Sequence, residues 1–149
     1  MCFWGSYFVL ASIPLMKYLK AKPYCKKIVE VTHKKFKAKG LGPFSDDFAI
    51  DYFLMWILIG HQHLASSLLT IPMVFSLPIS MEYKTSLVRH AALFEMGWEW
   101  YDIIKSTNQL REVGKSFKKI FILTMAHHLT AQFFAIPMNL NHSDDWFMA

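Results

Sequence analysis

An apolar run from residue 120 to 138 carries two adjacent histidines and a glutamine in its middle, and this stretch most narrows what the chain can become. It is long enough to cross a bilayer. Polar groups at that depth cost several kcal/mol unless they find partners. The motif also occurs twice: G-H-Q-H-L-A-S-S-L-L-T-I-P-M at 60–73 overlies M-A-H-H-L-T-A-Q-F-F-A-I-P-M at 125–138 after a shift of 65 positions, with His63 on His128, Leu64 on Leu129 and Pro72 on Pro137. A helix-level internal repeat with buried histidines in each copy is therefore expected.

Three further apolar stretches accompany it, at 2–16, 48–71 and 87–104. The third also carries Arg89, His90, Glu95, Glu99 and Asp102, and its acids, spaced i, i+4 and i+7, share one helix face. Between the stretches lie two basic blocks, 17–42 with nine lysines and 105–119 with five Lys and Arg, together holding 14 of the 16 basic side chains. Segregation of this kind is a membrane pattern, whereas nucleic-acid binding would set the lysines among aromatics in a stripe. The mean hydropathy of +0.24 is low for a membrane protein and keeps a buried, soluble all-α fold open. The expectation is an all-α polytopic membrane bundle of about four transmembrane helices. It forms a single domain over 1–149, whole or part of a larger one. An even number of spans separates the basic blocks, so both 17–42 and 105–119 are expected in the cytoplasm. Ser45 followed by Asp46 and Asp47 reads as a helix N-terminus, Pro72 as the far end of that helix, and 80–86 as a short loop. Cys2 and Cys25 lack a C-x-x-C spacing and are expected as free thiols.

Depths follow from this topology. His61 and His63 fall near the middle of the second span, Glu95 near that of the third, and His127 and His128 near that of the fourth, with Glu99 and Asp102 stepping toward the cytoplasm. Ionisable residues at matched depth in a membrane mark a functional site by default, and a satisfied network that fixes helix packing is the alternative. No metal site is expected within a helix, since adjacent histidines diverge by about 100° and those two apart by about 200°, and no E-x-x-H occurs; a site across helices with one histidine from each span stays open as the lesser alternative. Proton or acyl transfer needs only a histidine whose tautomer is held by a carboxylate, with the other nitrogen free as base. His127, His128, Glu95, Glu99 and Asp102 are the candidate catalytic groups. His61, His63, Thr130, Gln132 and Tyr101 are candidates for lining a lipid cavity. Ser66 and Ser67 lack a nucleophile-elbow context.

Tyr101-Asp102, the basic loop, and a helix opening Ala126-His127-His128-Leu129-Thr130 resemble the central part of the TLC domain, the multi-span fold of ceramide synthases and their relatives. The likeness covers about 87–141 and, more loosely, 48–72. The chain differs in two respects. Its Asn141-His142-Ser143-Asp144-Asp145 follows sooner than the family's second motif, and it shows four apolar runs where the family has about six or more. The resemblance implies an endoplasmic-reticulum or related endomembrane protein that handles lipid. In the synthase branch it implies transfer of an acyl group to a lipid amine or hydroxyl, with His127 and His128 at the matching positions and acyl-CoA as co-substrate. No bound cofactor is expected. Membrane lipids are the expected partners, with no nucleic acid, and the chain stands as a homo-oligomer or within a membrane complex. A non-catalytic lipid-binding or trafficking protein and a small subunit of a membrane assembly remain the alternatives.

Overall fold

The computed structural model describes residues 2–112, 114, 116–126, 128–130 and 132–134, and these are helical and loop residues with no strand among them. Helix α1 spans Cys2–Lys20, α2 Cys25–Lys37, α3 Asp46–Val74, α4 Met81–Glu112 and α5 Phe117–Ile120. A π-helical turn, Phe121–Ala126, follows α5, and residues 128–130 and 132–134 are again α-helical.

The expected start of α3 is present. The Ser45 hydroxyl accepts from the Phe48 amide at 3.0 Å and donates to the Glu112 carboxylate at 2.8 Å, so one side chain caps α3 and ties it to the end of α4. At the far end the helix continues past Pro72 and closes at Phe75. A proline in a last turn removes only one amide donor, which the short remainder tolerates. Residues 80–86, expected as a loop, instead open α4: Ser80 caps it, its hydroxyl accepting from the Tyr83 amide at 3.3 Å. With no proline until far beyond, α4 runs 32 residues, about 48 Å. The first basic block is split. Its start extends α1 to Lys20, and its middle forms α2, whose half-buried stripe of Cys25, Ile28, Val29 and Phe36 lies on the bundle while Lys26, Lys27, Lys34 and Lys37 point outward.

Cross-contacts set the topology. Lys20 pairs with Asp47 and Tyr7 with His61, so α1 is antiparallel to α3. Lys105 pairs with Asp51 and Gln62 with Glu95, so α3 is antiparallel to α4. Lys20 and Lys105, from the two basic blocks, thereby stand at the same end of the bundle. The core between the three long helices is built from Phe8, Leu54, Leu58, Phe94, Trp98 and Tyr101. Gly97 lets α1 approach α4 closely: a Cβ there would lie 2.5 Å from the Trp4 Cβ and 2.8 Å from the Gly5 amide nitrogen.

Outside this core the surface is strongly apolar. Phe3, Leu10, Leu64, Phe75, Ile104, Phe133 and Phe134 are all more than half exposed. Among the described residues α3 is the one helix long and apolar enough to cross a membrane, and only 22% of its apolar stretch is buried. By contrast α4 carries too many charged residues to pass on composition. The described residues form an all-helical fold. Cys25 is a free thiol, as expected.

Candidate functional site

Glu99 and Asp102 stand about one turn apart on α4 and so face the same neighbour. Glu99 and Asp102 meet His128 from the helical stretch after the π turn. The ring Nδ1 contacts the Glu99 carboxylate closely, and Nε2 lies 3.2 Å from an Asp102 oxygen. With both carboxyls ionised, both nitrogens donate, which is the charged ring. The expected arrangement, one carboxylate holding the ring and one nitrogen free, is therefore not the one observed. The reason is the i, i+3 spacing of the two acids, which brings both to one side chain. His128 is 8% exposed, and the Ser106 hydroxyl donates to the second Asp102 oxygen.

The π turn matters for this aim. A π turn holds one residue more than an α turn, which rotates everything after it by about 100°. Thr124, buried within the turn, and His128 after it both face the same cavity.

That cavity measures about 420 Å³. Asp102, His128, Thr124, Ser106 and Gln109 line one side, and Phe36, Lys39, Leu41 and Tyr52 the other. It thus joins the buried ion cluster to the basic end of the bundle. Close to it, Asp51 accepts from Lys105 at 2.6 Å and from Gln109 at 3.0 Å, a half-buried network that holds α3 to α4.

Glu95 goes elsewhere. It accepts from Gln62 and, at 3.5 Å, from Ser66, both on α3. Gln62 is fully buried, while His61 and His63 on either side of it are exposed. His61 instead meets the Tyr7 hydroxyl at 2.8 Å. Gln132 is buried, its amide donating to the Met96 carbonyl at 3.5 Å. Thr130 is exposed and donates to the carbonyl of Ala126 at the end of the π turn, and Tyr101 packs in the core against Phe8 and Trp98. His127 lies outside the described residues. Of the expected groups, then, His128, Glu99 and Asp102 come together, and Glu95 forms a second polar centre with Gln62. Among the described residues no three His, Cys, Asp or Glu side chains are grouped as a metal ion would require.

Sequence reasoning passed over Ser106, Gln109 and Lys39. The first two follow Asp102 at i+4 and i+7 and continue its helix face, a signal available in the sequence. Lys39 carries no such mark, since its place at the cavity depends on how the loop after α2 folds back. Comparison with known proteins adds no relative: no family model matches the chain, and neither a curated protein nor a solved structure matches it.

Proposed function

We propose that the chain is a polytopic membrane protein that handles lipid in the manner its TLC resemblance implies, with the Asp102–His128–Glu99 cluster as its working centre. The observation that carries this reading is the placement of that cluster: a nearly buried imidazole between two carboxylates, at the wall of a cavity large enough for part of a lipid or thioester. The exposed apolar girdle supports the membrane part. In water so large an apolar surface is an aggregation liability, and in a bilayer it is the expected exterior. On this reading α1, α3, α4 and the segment after α5 are the four spans, and the lysine-rich end faces the cytoplasm of an endomembrane.

The leading reaction is acyl transfer. A lipid hydroxyl or amine in the cavity gives its proton to an Asp102 oxygen as its own oxygen or nitrogen bonds to the thioester carbonyl carbon. The carbon–sulfur bond then breaks, and the thiol of coenzyme A leaves with the proton returned. Asp102 is the base because it lines the cavity. His128 lines it too, but both of its nitrogens are engaged, so it positions that carboxylate and balances its charge.

One observation favours a non-catalytic alternative. A histidine engaged on both nitrogens is also what a cross-link between helices requires, and a lipid-binding or trafficking protein needs no more. The same experiment decides. Lipid profiles are compared for cells expressing the wild type, Asp102→Asn and His128→Ala at matched membrane abundance. A lipid class that changes with the wild type and reverts in Asp102→Asn is the expected result. Identical profiles across all three, with binding of lipid retained, overturn the transferase reading in favour of the binding protein.

A further inference from the structure

Beside the cavity that ends at His128 lies a second one, of about 470 Å³, between the last turns of α2 and the loop that leads into α3. Leu41 forms part of both walls. The chemistry of the second cavity is basic, with His33, Lys34 and Lys37 on one side and Gly42, Pro43 and Phe44 on the other. Phe44 stacks on the His33 ring at 4.6 Å between centroids, which fixes the imidazole edge.

Among the described residues the lysines there have no other polar partner. Lysines in a last helical turn often serve the terminal carbonyls. Here the loop does that work: Ala38 donates to the Lys34 carbonyl, Lys39 and Leu41 to that of Phe36, and Gly40 to that of Lys37. Of the acids that follow in sequence, Asp47 pairs with Lys20 at 2.7 Å, and an Asp46 oxygen lies 3.2 Å from the His33 Nε2. Neither Lys34 nor Lys37 has an ion pair among the described residues, and both are exposed at the end of the bundle where the basic blocks gather. Close by, Lys35 lies across the rings of Tyr52 and Trp56, and Trp56 is 55% exposed. An aromatic with a lysine above it is a typical occupant of the membrane–water interface.

We propose that this cavity binds the phosphate headgroup of an anionic glycerophospholipid, held by Lys34 and Lys37. Two unmatched ammonium groups reward a headgroup with net negative charge, and a choline headgroup brings a cation of its own that they repel. The proposal rests on the membrane reading above, which sets this end of the bundle in the headgroup layer.

The test uses the full chain in a neutral detergent and short-chain phospholipids, with stabilisation against heat as the measure of binding. Dihexanoyl phosphatidylglycerol stabilises the wild type, whereas dihexanoyl phosphatidylcholine at equal concentration does not. Lys34→Gln/Lys37→Gln weakens the apparent affinity about 25-fold, a factor of about five for each lysine withdrawn from the headgroup. Lys26→Gln/Lys27→Gln removes the same charge from the same helix outside the cavity and changes it less than about twofold. Equal losses in the two double variants overturn the proposal, because they reduce the effect to net charge. Stabilisation by inorganic phosphate or glycerol 3-phosphate as strong as by the lipid overturns it in favour of a soluble phosphate ester. Extraction of the chain from cells without detergent defeats the membrane reading separately and leaves the comparison of the two double variants intact.

Discussion

Replacing His128 by leucine should destabilise the protein far more than removing the whole ion cluster. His128, Glu99 and Asp102 have side-chain exposures of 10%, 15% and 16%, so solvent screens their charges little. At an effective dielectric of about 20, two unit charges 3.2 Å apart attract by about 5 kcal/mol, and the ring makes two contacts of this kind. Leucine removes both attractions and leaves two carboxylates one turn apart on α4, each deprived of the imidazole, with the Ser106 hydroxyl still on Asp102. Breaking a buried pair from one side costs about 3–5 kcal/mol. Glu99→Leu/Asp102→Leu/His128→Leu, by contrast, leaves no charge without a partner. Apolar replacement of an entire buried cluster is close to neutral or stabilising. The assay is reversible unfolding in mixed micelles, with the ratio of denaturing to neutral detergent as the variable. A single variant within about 0.5 kcal/mol of wild type would show that water or another cation already balances the acids. A triple variant less stable than the single one would refute the reasoning outright, since it would give the cluster a large net favourable worth. A triple variant as stable as wild type has a further use: it is a folded protein without the proposed working centre.

Two other expectations follow from the packing. Gly97→Ala should cost about 2 kcal/mol, because its methyl group would sit 2.5–2.8 Å from α1 atoms that include backbone and cannot rotate away, an overpacking cost larger than the gain of about 1 kcal/mol in helix propensity. Gly60→Ala on α3 meets nothing within 4 Å and should gain up to about 1 kcal/mol; paired melting curves that rank the two alanines in the opposite order contradict the α1–α4 contact. Ser45→Ala should lose about 1 kcal/mol in the same assay, and Ser45→Asp should restore only part of it, since aspartate still caps α3 but places a second carboxylate against Glu112; full recovery with aspartate would mean that the link to Glu112 contributes nothing.

How much of this was legible beforehand differs by kind of information. Local signals were reliable: Ser45 announced the start of α3, and the spacing of Glu95, Glu99 and Asp102 announced a polar face. The topology placed His128 level with Glu95, with Glu99 and Asp102 further toward the basic end; His128 meets Glu99 and Asp102 instead, so height was legible only to within about a turn. Height along a helix is fixed by residue count and so can be read from a sequence. Azimuth is not, because it depends on how a helix rolls against its neighbours. His61, Gln62 and His63 show the difference. All three lie at the same height, yet successive residues turn by about 100°, and the roll of α3 buries Gln62 and exposes both histidines. The internal repeat equates His63 with His128, but the first is exposed and the second clamped, so the likeness extends to height and stops short of orientation. On the other copy the roll is adjusted within the helix itself, by a π turn in Phe121–Ala126 that no glycine or proline announces. Where such a turn falls decides which side chain of the double histidine faces Glu99 and Asp102, and the site depends on it. A motif of two adjacent histidines is well suited to that arrangement, because a shift of one residue still presents an imidazole to the acids.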